Sequence, residues 1–138
     1  MTLTVSYDQL ETAFMMTSDG MGTECYIDPD NGVIYCFDSM GDTEDSVPPD
    51  FDPESAFGIP NKYDLDLGNR LVFDFVAGQI PEHYDEVRDI FRSKGAYSRY
   101  KELLYRLGKE QDWYTYEERR TREALVEWCS ENGIKLVD

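Results

Sequence analysis

Two β-rich runs flank Pro29-Asp30-Asn31-Gly32, and this turn constrains the fold of the chain more than any other segment. Glu24-Cys25-Tyr26-Ile27-Asp28 precedes it and Val33-Ile34-Tyr35-Cys36-Phe37 follows it. β-branched and aromatic residues on either side of Asp-Asn-Gly predict an antiparallel hairpin. Side chains alternate across a strand, so Cys25, Ile27, Ile34 and Cys36 share one face and Tyr26, Tyr35 and Phe37 the other. A hairpin needs a second layer to cover its apolar face. The rest of the chain supplies helical periodicity, which predicts an α+β fold.

Ser6 with Gln9 forms a capping-box pattern, and Leu10, Ala13, Phe14 and Thr17 recur at helical spacing, predicting a helix over about 7–17. Asp19-Gly20-Met21-Gly22 ends it. Residues 59–63 read as a third short strand or an extended lead-in. Asp66 is placed to cap a helix over about 67–77 with Leu67, Leu71, Val72, Phe75 and Val76 on its buried stripe. Pro81 suits the first turn of the next helix, whose apolar side is Tyr84, Val87, Ile90 and Phe91. Gly95 breaks the chain before a helix over about 96–107 with the stripe Tyr97, Tyr100, Leu104 and Leu107. Thr115 with Glu118 predicts the start of a last helix reaching about Asn132, closed by Gly133. The predicted architecture is one domain over 1–138, with the N-terminal helix and hairpin packed against about four further helices in the 66–133 region.

At 138 residues the chain is long enough to bury a core without metal or disulfide support. It has no apolar run of membrane-spanning length, and Met1-Thr2-Leu3-Thr4 lacks the basic and apolar regions of a signal peptide, so a cytoplasmic protein is expected. Cys25, Cys36 and Cys129 make an odd count without C-x-x-C spacing, which argues against a disulfide framework or a zinc ribbon. The expectation is buried, reduced thiols, although Cys25 and Cys36 fall on one hairpin face and whether they pair stays open.

Charge divides the chain. The formal net charge is −16, yet residues 1–69 hold 15 acids against the single base Lys62. Over 88–109 the sign reverses: Arg88, Arg92, Lys94, Arg99, Lys101, Arg106 and Lys109 face only Asp89 and Glu102. Aromatics interleave with these cations, and Trp113-Tyr114 follows, expected to be partly exposed ahead of the last helix. Guanidiniums with exposed aromatics suit an acidic peptide, a phosphate or a splayed base. The candidate binding residues are therefore Arg88, Arg92, Lys94, Arg99, Lys101, Arg106, Trp113 and Tyr114. The competing reading makes the aromatics core and pairs the cations with Glu86, Asp89 and Glu102 or with the acidic N-terminal half.

Reaction chemistry finds no comparable constellation. His83 is the only histidine, inside an acidic first turn, and no strand leads into a glycine-rich phosphate cradle. Carboxylate pairs are too abundant at this acidity to mark a site. Asp50, Asp52 and Glu54 offer oxygen ligands at every second position, but Ser55 and Asn61 stand where a calcium loop needs glycine and glutamate. No cofactor, metal or catalytic residue is expected.

The Tyr26, Asp28, Gly32 and Val33 hairpin, Ile59-Pro60, the Asp74-Phe75 helix, Gly95-Ala96-Tyr97-Ser98-Arg99-Tyr100-Lys101, Trp113-Tyr114 and Glu127-Trp128 with Asn132-Gly133-Ile134 occur in this order. In this the chain resembles a bacterial uncharacterised protein family, number 0158, over about 24–134. Tyr97 and Tyr100 stand where that family is expected to have phenylalanine, and Cys129 where leucine is expected. The resemblance implies a soluble bacterial protein with no assigned activity, cofactor or catalytic residue.

The leading reading is a non-enzymatic binding or adaptor module acting through the basic-aromatic surface over 88–114. A protein partner is expected, nucleic acid is disfavoured by the net charge, and no membrane is involved. Two alternatives stand beside it: an acidic decoy that occupies a basic partner through residues 38–54, and an enzyme with an unrecognised site.

Overall fold

The structure, a computed structural model, describes residues 3–18, 22–38 and 47–137. These fall into two compact units, Met1–Leu65 with Ala124–Asp138, and Asp66–Glu123. The class is α+β, as the sequence predicts.

In the first unit, β1 (Leu3–Ser6) leads directly into α1 (Tyr7–Ser18). The hairpin follows as β2 (Glu24–Ile27) and β3 (Ile34–Phe37). Its register sets Cys25 opposite Cys36 and Ile27 opposite Ile34. The turn holds itself: the Asp28 amide donates to the Val33 carbonyl at 2.8 Å and the Gly32 amide to the Asp28 carbonyl at 2.8 Å. Gly32 has φ +76°, and a Cβ there would lie 2.5 Å from the Thr4 carbonyl oxygen, so only glycine fits between turn and β1.

One hairpin face joins the core with Leu10, Ala13 and Phe14 of α1, burying Cys25 and Ile27. On the other, Phe51 packs against Tyr35, Phe37 and Tyr26, its ring centroid 4.8 Å from that of Tyr35. The expected exposed loop over 38–55 thus carries an aromatic anchor; its Asp42, Glu44 and Asp45 lie outside the described residues, as do Asp19, Gly20 and Met21 of the turn after α1. Asp52 caps a 3-10 turn at Pro53–Ser55, and β4 (Phe57–Gly58) pairs antiparallel with β2. The third strand therefore ends where the sequence reading starts it. Beyond the Ile59 amide, which donates to Cys25, Asn61 accepts the Tyr63 and Asp64 amides and turns the chain away.

Cys25 and Cys36 form a disulfide. This corrects the expectation of reduced thiols: the hairpin register brings the two residues face to face, with Cα atoms 4.1 Å apart. Cys129 remains a buried free thiol.

The C-terminal strand β5 (Ile134–Val137) pairs parallel with β1, Leu3 opposite Ile134. Neither strand is predicted from the sequence. Gly133, at φ +70°, ends the preceding helix as expected, but Ile134 then opens a strand instead of merely packing back.

The second unit contains α2 (Asn69–Gln79), α3 (Tyr84–Ile90), α4 (Ala96–Arg106) and the first part of α5 (Glu110–Glu131). Leu71, Val72, Phe75 and Val76 are buried, as the helical stripe requires. Gly68, not Asp66, occupies the N-cap, and Asp66 turns the chain at φ 58°, a conformation aspartate tolerates. Pro81 opens a 3-10 turn before α3. Gly108, at φ +69°, ends α4, and the Lys109 amide donates back to the Leu104 carbonyl at 2.8 Å. The chain restarts at once, so α5 begins five residues before the Thr115–Glu118 pattern. Trp113 falls inside the helix, and 1 % of its surface is exposed. The expectation of a partly exposed Trp113 is therefore wrong.

Candidate binding surface

Gly95 folds α4 back on α3 through a left-handed turn at φ +73°. Arg99, one turn into α4, donates to the Ile90 carbonyl at 3.2 Å and the Lys94 carbonyl at 3.0 Å. Its guanidinium thereby joins the Ser93 amide on the Ile90 carbonyl at the end of α3 and supplies a donor to the Lys94 carbonyl in the turn. Arg99 is a clamp of the helical pair, even though it faces solvent.

Two further cations are paired locally. Arg88 meets Asp85 at 3.3 Å within α3 and Arg92, just beyond its end, meets Asp89 at 3.3 Å; both pairs are exposed. Such surface pairs contribute about 0–1 kcal/mol and leave the charges available to a competing anion. Lys109 pairs with Asp112 at 3.6 Å. Lys94 and Arg106 have no carboxylate partner among the described residues and are exposed. They stand at the two ends of α4.

Between them an aromatic slot holds Lys101. Its ammonium lies 5.0 Å from the Tyr114 ring centroid and 5.8 Å from that of Tyr97. A hydrogen bond to Tyr114 raises its pKa above the ordinary lysine value, keeping it charged. The slot rests on the core: the Trp113 indole donates to the Tyr97 hydroxyl at 3.3 Å. Burial raises the Tyr97 pKa, and the bond from Trp113 opposes that shift. Trp113 itself packs against Phe75 and Tyr100. Trp113 thus acts from beneath, positioning Tyr97, and offers no contact surface of its own.

Tyr105 completes the face. It lies one turn beyond Lys101, next to Arg106, and is 75 % exposed. Sequence reasoning omits it, although it falls off the predicted stripe Tyr97, Tyr100, Leu104 and Leu107; of that stripe the structure buries Tyr100 and Leu104, with Leu103, and leaves Tyr97 exposed. The outer side of α4 therefore presents an ammonium held between two tyrosines and a further exposed tyrosine, with Lys94 in the turn before the helix and Arg106 as its last residue. This arrangement can accept carboxylates or phosphates by charge-assisted hydrogen bonds and apolar groups on the rings.

Other sequence candidates are absorbed by local structure. His83 Nδ1 lies 3.0 Å from Glu86 Oε1, within one turn. The Asp52 carboxylate accepts the Glu54 amide at 3.0 Å as a cap. Among the described residues no group of histidine, cysteine, aspartate and glutamate is arranged to hold a metal ion, and no helix is long and apolar enough to cross a membrane.

Compared with known proteins, the chain matches the model of an uncharacterised protein family, UPF0158, over residues 1–138. No curated protein and no solved structure matches it.

Proposed function

We propose that this chain, which belongs to the uncharacterised protein family UPF0158, is a binding or adaptor module that grips an acidic protein segment on the outer face of α4. The observation that carries this reading is the Lys101 slot between Tyr97 and Tyr114, with Lys94 just before α4 and Arg106 at its last residue both exposed and without carboxylate partners among the described residues. A helix face with fixed cations and an exposed tyrosine discriminates through charge and ring contact together. Arg88 and Arg92 extend it onto α3, and Tyr114 borders it from α5.

The test is a pull-down from lysate of the source organism, with and without nuclease, comparing the wild type with a Lys94→Glu/Arg106→Glu double variant. A protein captured by the wild type, resistant to nuclease and lost from the double variant, supports the reading. Retention by the variant sinks it. The competing decoy reading, with the acids of 38–54 occupying a basic cleft, requires capture to survive this charge reversal and to weaken steeply with salt. Arg99 and Lys101 serve poorly as probes, because each also holds the helices together.

A further inference from the structure

The first unit contains two strand edges that turn toward one groove. Cys25 and Cys36 stand opposite each other with Cα atoms 4.1 Å apart, the spacing of a non-hydrogen-bonded antiparallel pair. The backbone groups of Cys36, and of Ile34 two residues earlier, therefore point away from β2. The same alternation appears on the far side of β2, where the Cys25 carbonyl accepts the Ile59 amide at 2.9 Å. On β1, the Thr4 carbonyl oxygen points away from β5 but is covered by Gly32, which closes that end of the groove. Ser6 repeats that orientation two residues on.

These four residues line a groove of about 650 Å³ whose wall is the Thr12, Ala13 and Met16 side of α1. Among the described residues the sheets run β1-β5 and β3-β2-β4, so β1 and β3 each have one edge without a strand neighbour. Met16 and Val33 border the groove, and each is more than a third exposed.

We propose that an extended, basic segment of another protein docks here as an added strand on the free edge of β3, giving the order segment-β3-β2-β4. The outward backbone groups of Ile34 and Cys36 supply ladder partners, and α1 offers apolar contact to every second side chain. Charge selects the chemistry of the segment. Asp8 lines the groove, and Asp28 and Asp30 of the adjoining turn converge with Asp50 and Asp52 on a smaller polar pocket of about 150 Å³. With Lys62 as the single base in residues 1–69, lysine and arginine on the incoming strand are favoured and acidic strands repelled. This surface and partner are separate from those proposed for α4.

The experiment pans a phage-displayed library of random nine-residue peptides against the immobilised full chain. Enriched peptides are then resynthesised with alternate backbone amides N-methylated, and both forms are titrated by fluorescence anisotropy. Expected are sequences with apolar residues at every second position and lysine or arginine between them, and about tenfold or more weakening on N-methylation. Ile34→Pro removes an amide that faces the groove without taking one from the β2–β3 ladder, and it weakens binding likewise. N-methylation tests the same ladder from the peptide side, so the result does not depend on the variant's folding. No enrichment, acidic or helically spaced sequences, or unchanged affinity after N-methylation each overturn the proposal. So does binding lost in Lys94→Glu/Arg106→Glu but kept in Ile34→Pro. A concentration-dependent dimer abolished by Ile34→Pro overturns it in favour of a second copy of this chain.

Discussion

Tyr100 meets Trp113 edge to face, with ring centroids 5.2 Å apart, at the centre of the second unit. Phe91 closes on Tyr100 from α3 at 5.7 Å and Phe75 on Trp113 from α2 at 5.3 Å, so one aromatic chain joins four helices. Within it the Tyr100 hydroxyl is buried and has no hydrogen-bond partner among the described residues. A buried, unsatisfied hydroxyl costs about 1–3 kcal/mol. Tyr100→Phe should therefore raise stability by about 1 kcal/mol, read as a higher urea midpoint with an unchanged slope. A clear loss of stability would mean that the hydroxyl has a partner in solution.

The cations near α4 should separate by role. Arg99→Ala removes two bonds to the carbonyls of Ile90 and Lys94 and should cost about 1 kcal/mol, after allowing for its exposure. Arg106→Ala breaks no ion pair among the described residues and should stay within about 0.5 kcal/mol of the wild type. Equal effects in chemical denaturation would contradict the clamp.

Thiol chemistry tests the hairpin. Denatured without reductant, the chain should take up one iodoacetamide, at Cys129; after reduction it should take up three. Three adducts without reductant would show that Cys25 and Cys36 are not joined. Cys36→Ser should lower stability by about 2 kcal/mol, because a closed loop of this kind restricts the unfolded chain.

Alkali should unfold the protein early. Burial pushes the Cys129 thiol up to about 11 from its ordinary 9.0, and burial likewise raises Tyr100. A group whose pKa is higher in the folded state contributes stability that is complete below its unfolded pKa and lost as pH rises toward the folded value. Melting temperature should therefore hold up to about pH 9 and fall from there toward pH 11 and above. Cys129→Ala should flatten the first part of that fall. An identical profile in the variant would assign the loss to the tyrosines.

Much of this architecture is legible in local patterns. The Asn31-Gly32 turn sets the hairpin, and stripes such as Leu71, Val72, Phe75 and Val76 set α2, because turn geometry and helical periodicity act over a few residues. The cations Arg88, Arg92, Lys94, Arg99 and Arg106 are exposed, which the sequence left open, and which of them are free depends on their neighbours. Trp113 was misplaced because Thr115 and Glu118 mimic a helix start, while Gly108 had already ended α4 and the aromatic core drew Trp113 inward.

By itself the sequence determined the α+β class, the hairpin with its facing cysteines, the ends of α1, α2 and α4 to within about two residues, and the sign of charge along the chain. Tertiary structure alone decided that Leu3–Ser6 and Ile134–Val137 are strands, since each four-residue run acquires a partner only across almost the full length of the chain. It also decided which tyrosines hold Lys101, and that β3 turns a free edge to one groove. Local propensity is spent within a turn or two of backbone. Strand pairing, ring packing and the accounting of backbone amides are settled only when residues distant in sequence meet.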